Sequence, residues 1–296
     1  MQRITYIPPW EDPNDMGKGV VMGLQYPYII GSPRGLGGIE ASMVKESSPY
    51  AAGSPVYGLT LEGREITFFI HIRGATRREM YQERLRLTAS LVPFNGRQWE
   101  KPGILYYEND YGRYWIPAIP TKSPDPQERI QHYNKADITF YCPDPFFRAG
   151  TPDGYEMIYL SALFEFPFEF DVEFGTSQYA SIVVNNGTVA TPVIIRITGT
   201  LLENPTITNE RTGEFIRVIR SVGSDYELVI NTSSFERYVK LVNLTTGEEQ
   251  NAYSYLDLKS RFWSLLPGNN SILYHGDEEN YNAKVTMTWF SRFAGV

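Results

Sequence analysis

The stretch CPDPFF, residues 142–147, lies almost at the midpoint of a chain of 296 residues. Its two prolines cannot donate hydrogen bonds to a β-ladder, and each biases the preceding residue toward extended conformations. The residues before it, ADITFYC at positions 136–142, alternate apolar and polar side chains and predict a strand. We therefore expect the strand to end at Cys142 and the chain to divide there into two domains, 1–148 and 149–296.

The composition indicates a globular protein built mainly of β-structure. Hydrophobic residues make up 42% of the chain and charged residues 21%, which is the balance of an ordinary folded domain. The 21 Tyr, 16 Phe, 25 Gly and 20 Pro favour pleated strands and tight turns over long helices. The formal net charge of -7 argues against sequence-specific nucleic-acid binding, since phosphate contacts need a concentrated basic surface.

The sequence also argues against export and membrane insertion, and no cofactor is expected. Residues 1–7 run at once into PPWED at positions 8–12, which leaves no apolar core for a secretory signal. No apolar run reaches the roughly 18 residues that a membrane span needs. The single cysteine cannot form an internal disulfide, which fits synthesis in a reducing cytoplasm.

Two hairpins and one long helix are expected in the first half. Residues 56–61 and 65–73 are strand-like runs broken at Glu62-Gly63, and residues 102–118 form a similar pair around Asn109-Asp110. Between them, the segment TRRE at positions 76–79 has the spacing of a capping box, which predicts the start of a helix.

The apolar side of that helix is expected to consist of Tyr81, Leu85, Ala89 and Val92, which recur at helical spacing until Pro93 ends the run.

An acidic strand is expected at residues 163–174, LFEFPFEFDVEF, where aromatic and acidic residues alternate. The acidic row is compatible with the paired carboxylates of a glycosidase, for which Glu169 and Asp171 are the candidates, or with oxygen ligands for a cation. An alternating strand with one solvated charged face is common, and that interpretation is favoured.

The rest of the second half predicts short strands separated by turn residues, a pattern typical of a β-sandwich. The expected strands are 181–184, 191–198, 205–209, 214–219, 226–230, 238–244, 271–274 and 283–290, with turns that include Asn185-Asn186-Gly187 and the segment PGNN at 267–270.

A catalytic role for Cys142 needs a lowered thiol pKa and a base within reach, usually a histidine. The sequence supplies only His71, His132 and His275. Because a free cysteine is mostly a small buried hydrophobe, a structural role is favoured and no catalytic residue is assigned.

Taken in order, five stretches resemble the distal tail protein (Dit) of long-tailed phages, also called the siphovirus tail-component family. They are GSPRGLGG at 31–38, LEGREI at 61–66, the helical run 81–93, GILYYENDYG at 103–112 and CPDPF at 142–146. In the second half, the succession from Asn186-Gly187 to the segment LLPGNN at 265–270 is again similar to this family.

The resemblance implies a mainly β-fold: an N-terminal β-sandwich or belt domain with one α-helix, followed by a galectin-like jelly-roll β-sandwich. It implies a structural hub at the distal end of the phage tail, synthesised in the host cytoplasm and not an enzyme. First domains would form a hexameric ring between the tail tube protein and the tail-tip hub or tail-associated lysin, and second domains would dock other components such as receptor-binding proteins. We place the ring contacts at Arg77, Arg84 and Arg86, and expect an acidic ring lumen that does not bind DNA.

The alternative function is a carbohydrate-binding module for attachment to the host surface, with Trp263 and Tyr274 as the sugar-stacking residues. The pairs Phe262-Trp263 and Trp289-Phe290 lie in apolar surroundings, which favours packing of these aromatic residues in the core instead.

Overall fold

The computed structural model describes residues 2–47, 52–93, 101–130, 133–159, 180–276 and 283–296. The chain divides into two compact units, Met1–Gly150 with Phe293–Val296, and Thr151–Arg292. The main boundary lies two residues beyond the expected one between 148 and 149, and the last four residues return to the first unit. There Phe293 and Val296 pack against the core, and the Val296 N–H donates to the Leu36 carbonyl at 3.0 Å.

The first unit contains ten strands and one α-helix within its described residues. They are β1 (Arg3–Ile7), β2 (Val20–Met22), β3 (Tyr28–Ile30), β4 (Ala41–Lys45), β5 (Val56–Leu61), β6 (Arg64–Arg73), α1 (Arg77–Ser90), β7 (Gly103–Glu108), β8 (Arg113–Ile130), β9 (Tyr133–Cys142) and β10 (Phe147–Ala149).

The main sheet of this unit runs in the order β2-β1-β7-β8-β9-β6-β3, and β10 pairs with β8. The first part of β8 pairs with β7 and its later part with β9. Along β6, every second residue from Arg64 to Ile72 is buried, as expected for a strand with one face on a core. Helix α1 packs against β6, β8 and β9.

The predicted hairpins have different outcomes. β7 and β8 pair around Asn109, whose side chain accepts from the N–H groups of Tyr111 and Gly112, so that hairpin is confirmed. The first hairpin prediction was wrong in its pairing. β5 pairs with β4 in a separate two-stranded ribbon, and β6 pairs with β9 and β3. The turn residues Glu62-Gly63 therefore separate β5 from β6 without pairing them: β5 pairs with the strand before it, and β6 pairs with strands distant in sequence.

Helix α1 begins as predicted but buries a different side. The Thr76 hydroxyl accepts from the Glu79 N–H at 3.2 Å, which is the capping bond. The prediction for the apolar face was wrong, since Leu85 is 71% exposed while Met80, Leu87 and Leu91 are fully buried. Residues seven and eleven positions apart return to the same side of a helix, and this stripe is the one that meets the sheet.

The second unit is a β-sandwich. Its strands are β11 (Asp153–Tyr159), β12 (Ala180–Asn185), β13 (Ile194–Thr198), β14 (Leu201–Leu202), β15 (Thr206–Asn209), β16 (Glu214–Arg217), β17 (Val222–Gly223), β18 (Tyr226–Asn231), β19 (Tyr238–Asn243), β20 (Glu249–Asn251), β21 (Gly268–His275) and β22 (Ala283–Trp289), and β23 (Arg292–Phe293) follows.

Two sheets of this unit enclose a common core. One has the order β11-β22-β13-β18-β19-β20 and the other β12-β21-β15-β16. Buried residues of both sheets, such as Ile195 and Val285 from the first and Ile207 and Ile272 from the second, belong to one cluster. The expected mainly β-fold, with one α-helix and a second-half sandwich, is confirmed.

Candidate interaction surfaces

Arg64 joins distant parts of the first unit. Its Nε donates to the Pro145 carbonyl at 2.8 Å, and Nη1 donates to the carbonyls of Gly35 at 2.7 Å and Gly37 at 2.8 Å. Nη2 donates to the Ala294 carbonyl. The guanidinium also lies 4.8 Å from the centre of the Phe147 ring, and the residue is 5% exposed. Burial lowers the pKa of Arg64, yet arginine keeps its charge in proteins.

This cluster, which we call the Arg64 clamp (Gly35, Gly37, Arg64, Pro145 and Ala294), explains why three of the recognised stretches occur together. The glycine-rich segment, the segment around Arg64 and the proline corner lie far apart in sequence and meet at one side chain. Gly35 has a φ of 85°, and a Cβ there would lie 1.9 Å from the Glu65 carbonyl oxygen. The Arg64 clamp therefore has a structural role: it holds these segments together.

Cys142 lies beside the Arg64 clamp, and its surroundings do not activate the thiol. It is fully buried and is the register partner of Arg64. Burial raises the pKa of its thiol to about 12, the opposite of what a nucleophile needs. His71 lies seven residues along β6 from Arg64, about 23 Å away at the rise of a strand. His132 lies outside the described residues.

The three arginines proposed for the ring do not share one face of α1. Arg77 and Arg86 are exposed, whereas Arg84 is half-buried. At 100° per residue, Arg86 lies on the opposite side of the helix from Arg77. The stripe that faces solvent consists of Arg78, Gln82, Leu85 and Ala89, all of which are exposed.

The proposed sugar-stacking residues lie in the core of the second unit. Trp263 is 1% exposed and Tyr274 is 3% exposed, and both belong to its hydrophobic cluster. A buried ring cannot stack on a sugar in solution, so this assignment is corrected to core packing. The acidic row at 163–174, with Glu169 and Asp171, lies outside the described residues. Among the residues described, no three His, Cys, Asp or Glu side chains cluster as metal ligands, and no helix is long and apolar enough to cross a membrane.

Buried asparagines hold the loops of the second unit. The Asn185 Nδ2 donates to the carbonyls of Val189 at 3.0 Å and Leu265 at 2.9 Å. Asn270 binds the backbone of Leu266 through both its amide oxygen and its amide nitrogen. A Cβ at Gly187 would lie 2.3 Å from the Arg292 carbonyl oxygen. Asn185, Gly187 and Asn270, which belong to or border the stretches that resemble the family, therefore fix the backbone of these loops.

The ribbon of β4 and β5 is the surface that the sequence analysis missed. Its register places Ala41 opposite Leu61 and Met43 opposite Leu59, and directly opposed residues project from the same face. Met43 is 54% exposed, Leu59 62% and Leu61 44%. We call Ala41, Met43, Leu59 and Leu61 the apolar ribbon face. The alternation of Tyr57, Leu59 and Leu61 along β5 was the signal in the sequence.

Comparison with known families gives a match within the second half of the chain. Residues 186–293 match the family described as the siphovirus-type tail component, C-terminal domain. No curated protein sequence matches the chain.

Solved structures of phage proteins share the fold of the whole chain. The Dit protein of phage SPP1, described as a paradigm of the hub adsorption apparatus in phages that infect Gram-positive bacteria, matches with a TM-score of 0.65 and 13% identity. That match covers 97% of this chain and 98% of the other. Chains of the phage p2 baseplate in its activated conformation, determined with Sr and with Ca, match with a TM-score of 0.52 and 10% identity. They cover 97% of this chain and 98% and 97% of their own lengths.

The resemblance to the siphovirus tail-component family is therefore confirmed: residues 186–293 match its C-terminal domain, and the chain as a whole has the fold of a distal tail protein.

Proposed function

We propose that this protein is a structural hub of a long-tailed phage, located at the distal end of the tail. The observation that carries the proposal is the match to the SPP1 hub protein, which extends over 97% of this chain and 98% of the other with no large insertion on either side. A shared fold alone does not establish a shared function. Here the likeness spans both units, and the C-terminal family is itself one of tail components.

The hub is proposed to be a ring of six copies. One face of the ring would meet the tail tube protein and the other the tail-tip hub or a tail-associated lysin, while second units dock receptor-binding proteins. Ring formation needs head-to-tail contacts between different surfaces of one chain. The first unit has two such surfaces, the exposed side of α1 and the apolar ribbon face.

The proposed role involves no catalysis. The one cysteine of the chain is fully buried, with the pKa of its thiol raised to about 12. The two aromatic residues on which the carbohydrate-binding alternative depends, Trp263 and Tyr274, are buried in the core.

The test is the mass and shape of the purified full-length chain. Six copies of a 33.8 kDa chain give a particle of about 200 kDa, and closed cyclic symmetry would appear in negative-stain images as a ring with an open centre. A closed two-fold dimer, or a chain that stays monomeric up to hundreds of micromolar, would contradict the proposal.

A further inference from the structure

The ribbon of β4 and β5 is exposed to solvent along almost its whole length. Every residue of β4 is exposed, and so is every residue of β5 except Gly58. An isolated two-stranded hairpin is marginally stable in water, and a strand pair with one apolar face normally buries it. The opposite face of the ribbon is more polar, since it carries Ser42, Gly58 and Thr60, together with Val44, which is 65% exposed. The ribbon is therefore amphipathic.

The charges around the apolar ribbon face are mainly negative. Glu40, Glu46 and Glu62 are exposed beside it, together with Lys45, which leaves a net charge of -2. A partner surface should therefore have an apolar centre and a basic rim.

The exposed side of helix α1 has these properties. Leu85 is 71% exposed at its centre. Arg78 lies on the same side as Leu85, and Arg77 and Arg86 flank it at roughly 80° and 100° in opposite directions. Together with Glu79, these exposed residues leave a net charge of +2. Because the ribbon and this side of the helix are both solvent-exposed within one chain, each is open to another copy.

We propose that the apolar ribbon face of one copy packs on the exposed side of α1 in the next copy, around Leu85. The contact joins two different surfaces, so it is heterologous and repeats from copy to copy until the ring closes. It specifies the interface of the ring proposed above and rests on that proposal. Arg77 and Arg86 then act as the basic rim of this interface, and half-buried Arg84 does not.

The first experiment places charge on one face of the ribbon at a time. Met43→Glu with Leu59→Glu puts two carboxylates on the apolar ribbon face, and Ser42→Glu with Thr60→Glu puts the same charge on the opposite face. All four positions are exposed, so both variants should fold, as circular dichroism would verify. Sedimentation velocity of the full chain should show the half-assembly concentration raised at least about tenfold by the first pair, because an unpaired charge is costly in an apolar contact. The second pair should leave assembly unchanged.

The outcomes of this experiment distinguish the proposed ribbon contact from the proposed ring. If the first pair assembles as the unmodified chain does, or if both pairs weaken assembly equally, the ribbon contact is wrong and the ring proposal stands. If the unmodified chain never assembles, both are wrong.

The second experiment uses crosslinking. Leu59→Cys and Leu85→Cys together should give a ladder of disulfide-linked chains up to six under oxidation. Either substitution alone can give at most a dimer, because native Cys142 is buried. A double variant that stops at the monomer or dimer would overturn the contact.

Discussion

Replacing Arg64 with methionine tests whether the Arg64 clamp holds the first unit together. Methionine keeps much of the length and apolar stem of the side chain but removes all four bonds to backbone carbonyls. The Pro145 carbonyl is then left as a buried acceptor without its donor. The other three carbonyls are only partly buried and can recover bonds to water.

The expected loss is about 3 kcal/mol of unfolding free energy. A buried acceptor without a partner costs about 2 kcal/mol, and three partly hydrated bonds cost about 1 kcal/mol each. Relief from burying a guanidinium returns about 2 kcal/mol. The net loss is a large fraction of the stability of an ordinary domain.

Hydrogen exchange measured by mass spectrometry localises this loss, since a two-unit chain need not unfold in one step. A loss of about 3 kcal/mol corresponds to exchange more than a hundredfold faster where protection depends on opening of the first unit. The Val296 N–H, bonded to the Leu36 carbonyl, should be among the first affected. Strands β13 and β18 of the second unit should be unchanged.

The matched control is Arg113→Met, which removes an exposed arginine paired with Glu108. An exposed ion pair contributes about 0–1 kcal/mol, so this variant should resemble the unmodified chain. A loss below about 1 kcal/mol for Arg64→Met, or one spread equally over both units, would refute the reasoning.

Three further predictions concern buried groups. Because burial raises the pKa of Cys142 to about 12, a thiol reagent at pH 8 should modify it only after unfolding. The neutral Cys142 thiol contributes fully to the unfolding free energy below the pKa of an unfolded cysteine. Above about pH 9 this contribution falls by up to about 1.4 kcal/mol per pH unit, because the unfolded chain loses the proton first. Urea titrations should therefore show a shallower fall of the unfolding free energy with pH for Cys142→Ala than for the unmodified chain. The Tyr28 hydroxyl lies 2.7 Å from the Glu83 carboxylate on α1, and Tyr28→Phe should lower the unfolding free energy by about 1–2 kcal/mol, with faster hydrogen exchange in the helix. Trp263→Ala should cost about 3–5 kcal/mol by cavity formation in a urea titration; loss of saturable glycan binding without loss of stability would contradict its place in the core.

Local signals predicted the elements of this fold well, because each depends on residues close in sequence. The capping box at Thr76 and the turn at Asn109 are both formed by side chains that bind backbone within three residues. The end of a strand at Cys142 follows from the prolines beyond it.

Contacts between distant residues were not predictable from such signals. The carbonyls bound by Arg64 lie 27, 29, 81 and 230 residues away, and no local pattern marks an arginine for this role. The buried side of α1 was also missed, since two apolar stripes are present and only packing against the sheet selects Met80, Leu87 and Leu91.

Strand β5 has a sequence pattern that does not match its exposure in the single chain. Its alternating pattern, with Tyr57, Leu59 and Leu61 on one side, is that of a half-buried strand. Within the described part of the chain, Leu59 and Leu61 remain 62% and 44% exposed. A pattern typical of burial on a strand that stays exposed is what a subunit interface requires, because such a strand is covered only on assembly. The proposed ring contact would cover this side of β5. The wrong hairpin came instead from the turn residues Glu62-Gly63, which lie between β5 and β6 although these strands pair with β4 and with β9 and β3.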